Sequence, residues 1–223
     1  MRKSEDAVLP STSTREVNME KRRQRILAEA RRAIAEHGFQ ELNTRSLAKS
    51  AGVSQPTLYN LIGNKDQILL LLISETMKTL DGRWDEMPDV DALTMAEVIA
   101  EDSTTLFGKD EDFYRGALIA NEYFSDQEMI WGKNGYFTSW ALPLTINMYR
   151  RAQETGKTKG KIKAEDLAEQ TLAAVRIASR DWALRLIPLA EFRKQMLRSM
   201  YITLAADAKP SFHKQLIEKL TAL

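Results

Sequence analysis

The sequence predicts an all-α protein with a small N-terminal three-helix head and a larger C-terminal helical body. Apolar residues recur at the spacing of an α-helix through most of the 223 residues. No alternating apolar and polar segment is long enough to predict a strand, and Gly and Pro divide the chain into helix-sized segments. We therefore expect a tail at residues 1–17, a head at 18–65 and a body at 66–223.

The first predicted helix covers roughly residues 19–37. Ile26, Ala30 and Ile34 recur at helical spacing and form one apolar face. The remaining faces carry six cations, namely Lys21, Arg22, Arg23, Arg25, Arg31 and Arg32. Residues 1–17 are rich in Ser, Thr and charge, which is typical of a mobile terminal tail.

Residues 44–65 have the pattern of two short helices that cross at a tight turn. Apolar residues stand where such a pair buries its side chains, at Leu47, Ala51, Val53, Leu58 and Leu61. Gly52 suits a turn that needs a positive φ. Ser54 can cap the second helix, and Pro56 is tolerated in its first turn. The pattern favours a helix-turn-helix, whose second helix enters the DNA major groove, over an ordinary helical hairpin.

The helices of the body are predicted from the same periodicity. Asn64 and Gln67 fit a capping box, so a new and strongly apolar helix begins there. Further helices are expected near residues 91–107, 111–124, 134–155, 164–187, 189–207 and 211–221.

Several short segments of the head match a known pattern. They are Thr44-Arg45, Leu47-Ala48, Ala51-Gly52-Val53, Gln55-Pro56-Thr57-Leu58-Tyr59 and Asn64-Lys65. With these residues the chain resembles the TetR (tetracycline-repressor) family of bacterial transcription regulators over about residues 19–80. The resemblance implies a ligand-responsive repressor that binds a palindromic DNA operator as a homodimer and is released by a small molecule.

The resemblance also implies which residues of the head touch DNA: Thr44, Arg45, Ser54, Gln55, Pro56, Thr57, Tyr59, Asn60 and Lys65. Arg45 would reach a guanine or a phosphate, and Gln55 would read a base edge, as these side chains commonly do. Tyr59 and Lys65 would hold phosphates, and Asn60 stands where family members vary. Leu61 and Ile62 replace the usual His or Tyr and the Phe of the family, which removes one expected donor.

The charge distribution supports this interpretation. Residues 1–65 hold 12 Lys and Arg against 7 Asp and Glu, whereas the remainder holds 20 against 24. A basic head on a mildly acidic body suits a DNA-reading protein. Nothing near the N-terminus resembles a signal peptide, and no apolar run approaches the ~20 residues of a membrane span. We therefore expect a cytoplasmic protein.

Two further sites are expected in the body. An effector pocket is expected mainly because the resemblance implies one, and its candidate residues, which are compatible with an apolar cavity, are Phe107, Tyr114, Tyr123, Phe124, Trp131, Trp140, Leu144 and Met148. The alternative is that these residues belong to the plain core. A dimer interface is predicted from small and apolar stripes at Leu167, Thr171, Ala174, Ala178, Trp182, Phe192, Met196 and Met200. The alternative is that both stripes face the core of their own chain.

Catalysis is poorly supported by the sequence. The chain has no Cys and only two His, and it lacks the HExxH, nucleophile-elbow and phosphate-loop motifs. We expect no catalytic residue, metal or cofactor. The alternatives are an all-α enzyme or ligand-binding protein with an accessory DNA-binding head and, less favoured, an architectural DNA-binding protein.

Overall fold

The computed structural model describes residues 14–85, 90–121 and 136–223, with side chains for all of these except 76–85, 121 and 136–140. Its described residues form ten α-helices and no sheet strand, which confirms the all-α fold class. In chain order the helices are α1 (Thr14–His37), α2 (Thr44–Ser50), α3 (Gln55–Leu61), α4 (Lys65–Asp85), α5 (Ala92–Gly108), α6 (Glu111–Asn121), α7 (Tyr136–Glu154), α8 (Ala164–Ala183), α9 (Leu189–Asp207) and α10 (Pro210–Thr221).

The first helix is longer than predicted. It begins at Thr14, so residues 14–17, which the sequence assigned to the tail, are helical. This N-terminal part is exposed, and the buried face starts only at Ile26. Apolar periodicity cannot detect a helical turn that packs against nothing, and Glu16 favours such a turn because an acidic side chain complements the helix N-terminus.

The helix-turn-helix is built as the sequence predicts. Leu47 and Ala48 of α2 and Leu58 of α3 are buried against each other and against α1. Gly52 has φ 65°, and the N–H of Val53 donates to the carbonyl of Ala48 at 2.9 Å, which completes a Schellman turn after α2. The Ser54 hydroxyl accepts from the N–H of Thr57 and caps α3.

The junction between the head and α4 is a capping box, as predicted. The N–H of Asn64 donates to Gln67 Oε1 at 2.8 Å, and the N–H of Gln67 donates to Asn64 Oδ1 at 2.9 Å. Gly63 precedes it with φ 114°, and a Cβ at Gly63 would lie 1.7 Å from Gln67 Oε1. A larger residue at position 63 would therefore be strained at this φ and would displace the Gln67 amide from the capping box.

The body is a helical layer in which α8 and α9 form its central hairpin. Helix α7 packs on α8, α5 packs on α9, and α10 closes the outer side of α9. Helix α6 lies between the body and the head, since it contacts both α8 and α1. Among the described residues, no helix is both long and apolar enough to cross a membrane.

The predicted end of the 164–187 helix is wrong. Helix α8 stops at Ala183, and the N–H of Leu186 donates to the carbonyl of Asp181 at 2.9 Å. Arg185 takes the left-handed position of this Schellman turn with φ 61°. Because that position usually holds Gly and here holds Arg, the sequence offered no stop signal before Pro188.

Candidate DNA-binding, effector and dimer sites

The surface of the head that carries the predicted DNA contacts is polar and largely open. Arg45, Ser54, Pro56, Tyr59 and Asn60 are exposed. Thr44, Gln55, Thr57 and Lys65 are half-buried. Helix α3 buries Leu58 completely and turns its remaining face outward, so its polar side chains can meet a groove without unfolding the head.

Side chains join the start of α2 to the start of α3. Gln55 Nε2 donates to Thr44 Oγ1 at 3.4 Å, and the hydroxyls of Thr44 and Tyr59 also lie 3.4 Å apart. Both contacts are long, and all three groups keep further hydrogen-bonding capacity. The structure thus brings Thr44, Gln55 and Tyr59 together at one edge of the polar surface.

Two predicted contact residues already have a structural task. The hydroxyls of Ser54 and Thr57 lie 2.7 Å apart, and Ser54 also caps α3. The Arg45 guanidinium, in contrast, is exposed and is held by no hydrogen bond or ion pair to another described residue. Arg45 is therefore better placed than Ser54 or Thr57 to bind a partner through its side chain.

Lys65 links α4 to the loop between α1 and α2. Its ammonium donates to the carbonyl of Gln40 at 2.8 Å and lies 4.5 Å from the ring centre of Phe39. Burial lowers the pKa of Lys65 more than nearby Asp66 and Glu41 raise it. An ammonium has three N–H donors, so one bond to Gln40 still leaves donors for a phosphate.

Sequence analysis missed Asn43, which caps α2. Its side-chain oxygen accepts from the N–H groups of Arg45 at 2.9 Å and Ser46 at 3.2 Å. An Asn directly before a short polar helix is a recognisable start signal. Asn43 sets the direction in which α2 begins and thereby positions Thr44 and Arg45.

The residues expected in an effector pocket are only partly described. Tyr123, Phe124 and Trp131 lie outside the described residues, and so does the side chain of Trp140. Leu144 is half-buried and Met148 is buried, both on α7.

Phe107 and Tyr114 belong to an aromatic cluster with Trp182 and Phe192. The ring centres of Phe107 and Tyr114 are 5.0 Å apart, and Phe107 stacks on Trp182 at 5.2 Å and on Phe192 at 5.9 Å. The Trp182 Nε1–H is buried and has no hydrogen-bond partner among the described residues. Phe107, predicted for the pocket, thus contacts two residues predicted for the dimer interface.

The predicted dimer stripes lie in the core of the protomer, apart from one residue. Leu167, Thr171, Ala178, Trp182, Phe192, Met196 and Met200 are buried within the single chain. The hydroxyl of Thr171 bonds to that of Tyr149 and lies 2.9 Å from that of Thr203. These seven side chains have no free surface for a partner, so we correct the prediction: the stripes serve the chain's own core, and only Ala174 is exposed.

A different face of the same hairpin is open. On α8, Ala173, Ala174 and Ile177 are exposed, and Ile177 keeps 62% of its surface accessible. On α9, Ile202 keeps 54% accessible. Large aliphatic side chains seldom stay so exposed on consecutive elements, and this face therefore has the composition of an interaction surface.

The comparison with protein families identifies the head. The family model for bacterial regulatory proteins of the tetR family matches residues 26–72, a range that contains α2, α3 and the capping box. Over 93 residues the chain is 34% identical to the HTH-type transcriptional repressor AcnR of Corynebacterium diphtheriae, covering 42% of this chain and 40% of that protein. Over 60 residues it is 40% identical to the HTH-type transcriptional regulator EthR of Mycolicibacterium smegmatis, covering 27% and 28% of the two chains. The matches thus span less than half the length of these curated relatives.

Solved structures extend the similarity of fold to the body. SmeT, the repressor of the Stenotrophomonas maltophilia multidrug efflux pump SmeDEF, superposes with a TM-score of 0.66 at 19% identity, covering 85% of this chain and 92% of SmeT. FadR from Bacillus subtilis, solved in complex with stearoyl-CoA, gives a TM-score of 0.67 at 19% identity, covering 80% and 97%.

Fold and head together define a helix-turn-helix protein with a helical C-terminal body. Residues 26–72 match bacterial regulatory proteins of the tetR family, and the fold of the described residues is similar to that of the solved structures named above.

Proposed function

We propose that this protein is a dimeric, ligand-responsive transcriptional repressor of the bacterial cytoplasm. It binds a palindromic operator with two copies of its head and is released by a small molecule. The curated relatives AcnR and EthR are a transcriptional repressor and a transcriptional regulator, which supports this assignment.

The observation that carries the proposal is the polar outer face of α3 beside the free guanidinium of Arg45. Arg pairs with guanine through O6 and N7, and Gln pairs with adenine through N6 and N7. Arg45 is exposed at the start of α2, and Gln55 opens α3 next to Thr44. The starts of α2 and α3 thereby offer a guanine reader and an adenine reader, while Tyr59 and Lys65 remain as phosphate contacts.

The dimer follows from the exposed face of α8 and α9. A palindromic site requires two recognition helices about 34–36 Å apart, so one head alone binds weakly. The small residues Ala173 and Ala174 permit close approach of a partner helix, and Ile177 and Ile202 supply apolar area. Two such hairpins form a four-helix bundle around a two-fold axis.

The effector site is assigned to the body. Two proteins of similar fold, FadR from Bacillus subtilis and FadR from Thermus thermophilus, were solved in complex with stearoyl-CoA and lauroyl-CoA, which supports a ligand site in this fold. In this chain the aromatic cluster of Phe107, Tyr114, Trp182 and Phe192 favours a mainly apolar ligand. An acceptor atom on that ligand could satisfy the buried Trp182 Nε1–H.

Release requires the ligand to prefer a conformation that does not bind DNA. A coupling free energy of roughly 1–3 kcal/mol between the two sites is typical of such regulators. Helix α4 begins at the capping box of the head and runs on to Asp85, so it is the helix to which we assign this coupling.

The proposal is tested by selecting duplexes from a random DNA library and then measuring the Arg45→Ala and Gln55→Ala variants on them by fluorescence anisotropy. Each variant should lose about 1–3 kcal/mol per half-site and relax the preference at one base pair. Lys214→Ala, an exposed cation on α10, is the matched control and should bind normally. An equal loss by Arg45→Ala and Gln55→Ala on every sequence would reject their base-reading roles.

A further inference from the structure

One cation of α1 does not face the solvent with the others. The sequence predicts Arg31 on the basic faces of this helix, but it lies at the contact between α1 and α6 and is half-buried. It stands four residues after Leu27 and three before Ile34, at the edge of the buried face. This spacing is the signal that could have placed it, since residues three and four apart share a helix face.

Arg31 makes three contacts with the body. Its Nε donates to Asp110 Oδ2 at 2.7 Å, directly before α6. The guanidinium carbon lies 3.9 Å from the ring centre of Phe113 and 5.3 Å from that of Tyr114. Burial lowers the pKa of Arg31, but the interactions with Tyr114 and Asp110 outweigh it and leave the pKa raised. A planar cation that is both paired and stacked has its orientation fixed more firmly than a simple surface ion pair.

The backbones of the two helices also approach closely beside this cation. A Cβ at Gly116 would lie 3.0 Å from Ile34 Cγ2 and 3.1 Å from the Ile34 carbonyl oxygen. A side chain at Gly116 would therefore crowd Ile34, and Gly116 favours this close approach of α6 to α1. The contact between α1 and α6 thus has two parts. Arg31 contacts Asp110 and Phe113 near the start of α6, and Ile34 packs on Gly116 about one turn after Phe113.

Helix α6 is itself fastened to the body. Arg115 is buried, donates to the carbonyl of Trp182 at the end of α8, and lies with its guanidinium 4.4 Å from the Trp182 ring centre. It also pairs with Glu111 at 2.7 Å. Because α6 is held by α8 on one side and contacts α1 on the other, Arg31 joins the head to a rigid part of the body.

We propose that Arg31 is a positioning residue: with Asp110 and Phe113 it forms a latch that holds the DNA-binding head at the orientation needed to engage both half-sites of an operator. The proposal rests on the proposed function. Binding by two heads depends on their relative placement, because the second contact is intramolecular and is lost when the geometry forbids it. Binding of one head to one half-site needs no such placement.

Two variants remove the latch with opposite changes of charge, and each has a matched control. Arg31→Met is compared with Arg32→Met, whose residue is exposed and pairs with Glu29 on the same helix. Asp110→Asn is compared with Asp112→Asn, whose residue pairs with Arg185 of the body and not with the head. Gly116→Ala disturbs the same contact without any change of charge.

The probes are a palindromic duplex selected by the wild-type protein and the same duplex with one half-site scrambled. Arg31→Met, Asp110→Asn and Gly116→Ala should each bind the palindrome about tenfold more weakly than the controls, a loss in the range of one stacked ion pair. Their binding to the scrambled duplex should match that of the controls. Lys at position 31 keeps the charge but not the planar stack, so Arg31→Lys should fall between the two groups.

Two results would overturn the latch. If Arg31→Met weakens palindrome binding while Asp110→Asn strengthens it, the effect is one of charge near DNA alone. If both duplexes weaken equally, the contact supports the fold of the head and not its placement.

Hydrogen exchange without DNA separates this proposal from the proposed function. Loss of the latch should speed exchange of the α1 amides near Ile34 in Arg31→Met and Asp110→Asn, with the rates in the controls unchanged. A wild-type protein that selects no duplex would reject the proposed function even where exchange shows the contact intact. Unchanged exchange in both latch variants would reject the latch itself.

Discussion

The head and the body differ in how far a sequence pattern fixes the partners of each residue. In the head and at its junction with α4, Gly52, Ser54 and Gln67 each act within five residues of their own position, so local arrangements satisfy them all. In the body, long helices carry small and apolar residues on several faces, and the partner of a face comes from a distant helix. A short motif therefore predicts contacts, whereas a stripe on a long helix predicts only that something packs there.

Helix α8 illustrates the second case. Its buried stripe includes Thr171, Ala178 and Trp182, and its exposed stripe includes Ala174 and Ile177. Both stripes have helical spacing and small residues, and they are offset by a single position. The choice between them depends on where α7 and α9 lie, which periodicity alone does not report.

The largest expected effect is on stability, and it distinguishes the buried stripe of α8 from the exposed one. Ala178→Glu should destabilise the protomer by at least about 3–5 kcal/mol, because it places an unpaired carboxylate in a closed core. Ile177→Glu, one residue earlier and exposed, should leave the unfolding midpoint of the protomer almost unchanged but yield monomers. Denaturant unfolding followed by circular dichroism measures the first effect, and analytical ultracentrifugation measures the second.

A dimeric and fully folded Ile177→Glu protein would mean that the partner packs elsewhere. An Ala178→Glu protein with the same unfolding free energy as the wild type would mean that the buried stripe is not closed. Either result removes the distinction drawn between the two faces.

The second prediction compares how much stability is lost when either of two glycines with positive φ is replaced. Gly63→Ala should cost about 2–3 kcal/mol, since φ 114° strains any side chain and the new Cβ would meet Gln67 Oε1. Gly52→Ala should cost only about 1 kcal/mol, because its φ of 65° is strained but no atom lies within 4 Å of the new Cβ. Thermal unfolding of both variants gives the order, and equal losses would show that the capping box adjusts without cost.

A third and smaller effect concerns Lys65, which the structure uses within the head. Lys65→Met should weaken binding uniformly on every duplex and reduce the slope of log K against log salt by about 0.9 for one lost phosphate contact. Anisotropy titrations at several salt concentrations measure this slope, with Lys214→Met as control. If stability falls while the slope stays the same, Lys65 is a tether to Gln40 and not a phosphate ligand.

The smallest expected effect is the loss of stability on removing the Asp91 cap of α5. Asp91 accepts from the N–H groups of Leu93 and Thr94 and from the Thr94 hydroxyl. Burial raises the pKa of Asp91, but the hydrogen bonds of Thr94 and Leu93 lower it by more, so the pKa lies below its usual value. Asp91→Ala should therefore cost about 1 kcal/mol at neutral pH.

The sign of the pH dependence follows from that direction. A lowered pKa stabilises the folded protein above the unfolded value of about 4, and the stabilisation is lost as the pH falls through the folded value. The difference in unfolding free energy between wild type and Asp91→Ala should shrink below about pH 4. A difference that stays constant into acid would exclude the carboxylate as its source.

Most of the fold could be predicted because it rests on periodicity and on local caps. The helices, the Gly52 turn and the Asn64–Gln67 box all follow from residues close together in sequence. The end of α8 could not be predicted, because Arg185 takes a backbone conformation that Gly usually takes. The Arg31 contact depends on Asp110 and Phe113, some eighty residues away, and no local rule brings them together.

The most direct measurement of the central claim is a selection of genomic DNA fragments by the purified protein at low ionic strength, followed by footprinting. Enrichment of fragments with a two-fold symmetric site is expected, with half-site centres about 10 base pairs or a multiple apart and both halves protected together. Gln55→Ala should lose that enrichment in part. A protein that enriches no fragment above background under these conditions would contradict the assignment of α3 to the major groove.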